Sequence, residues 1–183
     1  MKKPNSNQPP LTMTPILGQP PRQIQIGLAA QSLSLLEGGE RLCSYPISSA
    51  LNGPGEMEGS GCTPRGRHRI RIKIGAGQPE HAVFVGRRAT GELYSPALAA
   101  SYPQRDWVLC RILWLTGLEP GRNRGGQVDS LHRYIYIHGC PDSEPMGVPR
   151  SHGCIRMRNR DLLALFEQVE AGMLVDIREG VCC

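Results

Sequence analysis

Hydrophobic and polar residues alternate with a period of two along much of the chain. Gln23-Ile24-Gln25-Ile26-Gly27-Leu28 alternates cleanly, and Gln31-Ser32-Leu33-Ser34-Leu35-Leu36 does so again. Glu37-Gly38-Gly39-Glu40 reads as a turn into a third run from Leu42 to Ile47. A glycine-rich loop, Asn52 to Gly61, leads through Thr63-Pro64-Arg65-Gly66 into a strand where Ile70, Ile72 and Ile74 alternate with Arg69, Arg71 and Lys73. That strand is expected to have one wet face. Trp107 to Leu115 and Tyr134-Ile135-Tyr136-Ile137 are apolar enough for a buried sheet. The pattern changes period once. From Asn159 to about Ala171, Leu162, Leu165, Phe166 and Val169 form a helical stripe, with Asn159 as N-cap, Asp161 in the first turn and Gly172 as the stop. Met173 to Ile177 then predicts a closing strand. Many strands with one late, short helix define a mostly β, α+β domain.

Residues 1–22 lack this periodicity and are rich in proline, so they read as a flexible arm. The folded domain is expected over 23–178, with a short tail at 179–183. A chain of 183 residues is long enough to bury a core without disulfide staples. Its seven cysteines, odd in number and irregularly spaced, fit a reducing compartment better than a disulfide framework. The net charge of +5 is modest, and the Arg65–Lys73 cluster lacks the aromatic platform of a nucleic-acid surface. The glycine-rich loop lacks the Gly-Lys-Ser/Thr ending of a phosphate cradle. No stretch approaches a membrane-spanning length, and polar Pro4–Pro10 stands where a signal peptide would carry its apolar core. A cytoplasmic protein is expected, without nucleic-acid or membrane partners; a true start further upstream would make it periplasmic.

The candidate chemistry lies in two similar tripeptides, His138-Gly139-Cys140 and His152-Gly153-Cys154. His138 follows a buried strand and should sit at a rigid strand end. The proline-rich segment from Pro141 to Arg150 must be a loop, able to bring Ser151-His152-Gly153-Cys154 beside it. A free thiol with a pKa of about 8.5 is only a few per cent thiolate at neutral pH. A neighbouring imidazole can take its proton and later return one to a leaving amine, which makes a cysteine and a histidine sufficient for acyl transfer. Gly153 permits close approach of backbone to substrate, and N–H groups near Cys154 could cradle an oxyanion. Arg156 could clamp a substrate carboxylate. The same two histidines and two cysteines could instead form a tetrahedral zinc shell, although His-x-Cys is a tight pair for one ion. His68, His81 and His132 have no motif partners.

The segment Tyr134-Ile135-Tyr136-Ile137-His138-Gly139, the proline-rich loop and Ser151-His152-Gly153-Cys154-Ile155-Arg156-Met157 together resemble the signature of the L,D-transpeptidase (YkuD/ErfK) family. The likeness reaches upstream to Thr63-Pro64-Arg65-Gly66 and Arg111-Ile112-Leu113-Trp114-Leu115. The resemblance implies a β-sandwich or barrel catalytic domain of YkuD type, needing neither metal nor cofactor. Cys154 would attack the carbonyl joining meso-diaminopimelate to D-alanine in peptidoglycan tetrapeptide stems, with His138 as the catalytic histidine. The Gly139 carbonyl would orient that ring. Ser151, His152 and Gly153 would frame the oxyanion site, and Arg156 would receive substrate carboxylate. Cys140 departs from the family, where threonine is common, and is expected to fill the same space.

Family members differ in what resolves the acyl-enzyme. A second stem peptide gives a 3→3 cross-link, a lipoprotein lysine gives an anchor, and water removes D-alanine. In the cytoplasm the substrates would be soluble muropeptides, so the expected activity is an L,D-carboxypeptidase of wall recycling. An exported cross-linking enzyme is the alternative, and a zinc-stabilised binding module a remote one. The resemblance also implies that carbapenem-type β-lactams could inhibit the protein.

Overall fold

The computed structural model describes residues 20–180; the proline-rich arm up to residue 19 and the Cys182-Cys183 pair lie outside the described residues. Ten strands, β1 (Arg22–Gly27), β2 (Ser32–Glu37), β3 (Glu40–Pro46), β4 (Gly66–Ile74), β5 (Ala82–Val85), β6 (Arg88–Leu93), β7 (Val108–Gly117), β8 (Tyr136–Cys140), β9 (Ile155–Arg158) and β10 (Leu174–Arg178), join into one sheet. Among the described residues the helical elements are α1 (Pro96–Ser101), α2 (Asn159–Phe166) and a short 3-10 turn at Gly126–Val128. Along the main path the strand order is β3-β2-β1-β10-β4-β7-β5-β6, and β8 leaves it to pair with both β7 and β9. The sheet curls into a half-barrel, and α2 packs against β7, β8 and β9.

In β1 and β2 the apolar positions Ile24, Ile26, Leu33 and Leu35 are fully buried in the main core, but the alternating polar residues Gln25 and Ser34 are buried too. In β4 the alternation fails partway. Ile70 is buried but Ile72 is 41% exposed, because the register against β7 slips between them and the bulge turns the strand over. The β5–β6 hairpin and α1 carry no alternation of their own. Gly86 (φ 53°) and Arg87 (φ 68°) connect Val85 to its partner Arg88, so the hairpin closes on a type I′ turn.

Helix α2 stops at Phe166, short of the expected Ala171. The ammonium of Lys73 on β4 donates to the Phe166 and Val169 carbonyls at 2.7 and 2.6 Å and lies over the Phe166 ring. A cation there satisfies orphan carbonyls and the negative end of the helix, so the chain can turn early into β10. The N-cap position falls on Arg158 and not Asn159, which is buried inside the first turn with its Oδ1 lacking a partner.

Candidate active site

Strands β8 and β9 run parallel, with Ile137 opposite Ile155, His138 opposite Arg156, and Gly139 opposite Met157. Alternation then divides the pair. Ile135, Ile137, Ile155 and Met157 turn inward to the core shared with α2. Tyr136, His138 and Cys140, with Cys154, Arg156 and Arg158, belong to the opposite face. Extending the register by one residue sets Cys154 across from Tyr136 and diagonal to His138. The thiol and the imidazole thus share one face of one strand pair, although the whole Pro141–Gly153 loop separates them in sequence.

That loop is held by backbone from the β3–β4 connection. Ile47 O accepts from Gly147 N at 2.8 Å, Ser49 O accepts from both Arg150 and Ser151 N at 2.9 Å, and Leu51 N donates to Ser151 O at 2.9 Å. Ser48 and Arg156 exchange two further bonds. Thr63, fully buried, accepts from Ala50 N at 3.0 Å and donates its hydroxyl to Gly153 O at 2.9 Å. The Ser151 hydroxyl donates to Cys154 O and accepts from Gly153 N. Gly153 has φ 137°, a conformation that a side chain would strain. None of these braces uses the Cys154 N–H. The Thr63-Pro64-Arg65-Gly66 segment therefore belongs to the site through Thr63, which ties the turn carrying the cysteine.

His138 is 2% exposed, and its Nδ1 lies 2.8 Å from Gly139 O. A carbonyl can only accept, so Nδ1 carries the proton and Nε2 keeps a free lone pair. Burial holds the imidazole pKa below its ordinary value, partly offset by the Gly139 carbonyl. Cys154 is half-buried. Its Sγ accepts from Tyr136 N and donates to Tyr134 O, both at 3.3 Å; its hydrogen bonds in this structure go to backbone and not to His138. Burial pushes the thiol up to about 11, against a smaller lowering by the Tyr136 N–H. Burial thus disfavours the charged form of both groups.

Arg156 is nearly enclosed. Its guanidinium donates to Asp106 Oδ1 at 2.8 Å and to Glu144 Oε2 at 3.2 Å. The anion-receptor role expected of it requires displacing one of those carboxylates. The His152 ring is 79% exposed and lies 3.5 Å from Asp106 Oδ2, outside the braced turn. Asp106, Glu144, Arg150, His152 and Arg156 line a groove of about 290 Å³ with Cys140 at its floor. Asp106 and Glu144 escaped the sequence reading, since a carboxylate before a strand or in a loop carries no local signal. Cys140 is fully buried and donates to Met157 O at 3.4 Å, so it acts as a packing thiol, with its pKa pushed to about 12 by burial. The two His-Gly-Cys tripeptides therefore aim at different partners. Among the described residues no three His, Cys, Asp or Glu side chains converge as metal ligands. His68 is buried in β4, while His132 lies on the surface beside Asp129.

The sequence pattern of the L,D-transpeptidase (YkuD) catalytic domain matches residues 21–177. The chain belongs to this enzyme family. Solved structures agree in fold. An L,D-transpeptidase from Mycobacterium smegmatis is 17% identical, with TM-score 0.54 over 88% of this chain and 59% of its own. Bd1075 of Bdellovibrio bacteriovorus, also 17% identical, gives TM-score 0.54 over 90% of this chain and 50% of its own. L,D-transpeptidase 3 from Mycobacterium tuberculosis, in complex with a faropenem-derived adduct, is 15% identical and gives TM-score 0.52 over 87% and 61%. The chain thus spans between half and three-fifths of the length of these relatives. A sequence search of curated proteins gave no match.

Proposed function

We propose that this chain cleaves the meso-diaminopimelate–D-alanine bond of peptidoglycan tetrapeptide stems through a thioester on Cys154, with water as the final acceptor. The observation that carries the reading is the shared face of β8 and β9, where a thiol stands diagonal to an imidazole whose Nδ1 is committed to Gly139 O. The free Nε2 lone pair takes the thiol proton as Sγ leaves the Tyr134 carbonyl and bonds to the scissile carbon. The Cys154 N–H, unused in bracing the turn, can donate to the developing oxyanion. Collapse of the tetrahedral adduct breaks the C–N bond, and the imidazolium gives its proton to the departing D-alanine amine. Water then attacks the thioester, its proton passing through His138 back to the sulfur, and tripeptide is released.

All five described cysteines are free thiols, which supports a reducing, cytoplasmic setting. There the soluble stem peptides of wall turnover are the accessible substrates and water the abundant acceptor. Relatives have been solved with imipenem and with a faropenem-derived adduct. A β-lactam carbonyl offers Cys154 the same acylation, so carbapenems are proposed inhibitors of this chain too.

Purified protein incubated with disaccharide-tetrapeptide should yield tripeptide and free D-alanine by mass spectrometry. Dimers bridged between two diaminopimelate residues would replace hydrolysis with cross-linking. An unchanged substrate would remove the reading altogether.

A further inference from the structure

The cations around the thiol differ in what they have left to offer. Arg156 faces two carboxylates, and Arg133 spends its donors on the carbonyls of Gly55, Glu56 and Cys62. Arg87 and Arg150 pair with no carboxylate among the described residues, and of the two it is Arg87 that aromatic rings hold in place. It sits at the tip of the β5–β6 hairpin, and its guanidinium lies 4.5 Å from the Trp114 ring centroid and 4.8 Å from that of Tyr134. One nitrogen donates to the Tyr136 hydroxyl at 3.2 Å, and among the described residues Arg87 meets no carboxylate. The aromatic rings fix the guanidinium while most of its five N–H donors stay uncommitted.

The same two tyrosines hold the nucleophile. Tyr134 O accepts from the Cys154 thiol, and Tyr136 N donates to it. Tyr134 does so with φ 55°, an uncommon conformation for a bulky residue, which points its carbonyl at the sulfur while its ring stacks with Arg87. The Tyr136 hydroxyl lies within the electrostatic range of both Arg87 and Cys154. A pre-set, open guanidinium fork is therefore carried on the side chains of Tyr134 and Tyr136, the two residues whose backbone holds the sulfur.

The geometry points to Arg87 as the receptor for the terminal carboxylate of the leaving D-alanine. That carboxylate lies one carbon beyond the nitrogen of the bond being broken, so a cation carried on the residues that hold the nucleophile can grip it while the scissile carbonyl meets Sγ. The inference rests on the acyl-transfer reading above and deepens it. A cation at this place makes the enzyme act on chain ends, because an internal peptide bond presents no carboxylate there.

The test compares two donors, disaccharide-tetrapeptide with a free D-alanine carboxylate and the same molecule ending in D-alanine amide. Wild-type protein should favour the free acid in kcat/KM by about tenfold to a hundredfold, the range of a charged hydrogen-bond pair. Arg87→Asn, whose side chain tolerates the left-handed turn position, should bring the two donors together, chiefly by raising KM for the acid. Arg87→Lys, which keeps charge but not the fork, should retain an intermediate preference and guards against misfolding of the first variant. Alkylation of Cys154 by iodoacetamide at the wild-type rate shows that the site is intact. Undiminished preference in Arg87→Asn, an equal loss on both donors, or a preference lost in Arg150→Ala instead, overturns the assignment. Wild-type protein that turns over neither donor overturns the acyl-transfer reading itself.

Discussion

Replacing Gly139 by alanine should damage the site through packing alone. Gly139 follows the candidate base on β8, and its α-carbon is pressed against β7 and the start of α2. An added Cβ would lie 2.8 Å from the Leu109 carbonyl oxygen and 3.0 Å from the Cys110 Cβ, and would collide with Asn159 Oδ1. Carbon contacts are ordinarily about 3.5–4.0 Å, so something must move. The Asn159 side chain can yield, since its Oδ1 has no hydrogen-bond partner to lose. The Leu109 carbonyl belongs to β7 beside its register partner Gly139 and cannot. Overpacking of this kind costs about 1–3 kcal/mol, and the backbone contact places this case near the upper end. Relief by shifting β8 carries His138 with it, and a displacement of about 1 Å is worth on the order of a hundredfold in rate. Urea unfolding and turnover are to be measured on Gly139→Ala, Asn159→Ala and the double variant. The single asparagine change should be nearly neutral. The double variant should recover about 1 kcal/mol of the loss, with the remainder due to Leu109. A Gly139→Ala protein as stable and active as wild type, or strict additivity with Asn159→Ala, would refute the reasoning.

Thr63→Val keeps shape but strips the partners of the buried Ala50 N–H and Gly153 carbonyl. It should cost about 2–4 kcal/mol in urea unfolding, since each orphaned buried group costs about 1–3 kcal/mol; a neutral outcome would mean that the turn holds without it. His68 is fully buried between Gly66 O and Ser130 Oγ, and burial lowers its pKa to about 4 from 6.5. Below 6.5 the unfolded chain takes up a proton that the folded chain refuses, so this contribution is whole above that pH and is lost as pH falls towards 4. Between neutrality and about pH 4.5 the loss should be about 2–3 kcal/mol. His68→Gln should show a fall smaller by that amount in urea melts at the two pH values, and an unchanged fall would contradict it. Alkylation of Cys154 should keep accelerating through the alkaline range towards a midpoint near 11. A plateau already reached at neutral pH would reveal a preformed thiolate–imidazolium pair.

The site was legible where it rests on short-range alternation. Tyr134 to Ile137 reads as a strand running into His138, and the proline-rich loop was expected to fold Cys154 back beside it; β9, whose parallel pairing with β8 sets the thiol and the imidazole on one face, was not read from the sequence. Gly139 and Gly153 stood out in the sequence, but for reasons only partly visible there: one makes room for β7, the other for a positive φ. What stayed hidden depends on long-range contact. Asp106 and Glu144 gain meaning only because Arg156 reaches them. The β5–β6 hairpin is mostly exposed in β6 and so shows no apolar rhythm. Ile72 follows the strand pattern in sequence, yet a bulge on β4 exposes it. The early end of α2 is set by Lys73 from a strand far away in the chain.

The central claim is that Cys154, served by His138, is the atom that becomes acylated. Intact-mass spectrometry with peptide mapping after exposure to imipenem tests it most directly. One covalent adduct should appear on Cys154 in wild-type protein, none in Cys154→Ala, and a greatly slowed one in His138→Ala, with all three folded by circular dichroism. An adduct mapping to Cys62 or Cys43, or undiminished labelling when Cys154 is gone, would contradict it.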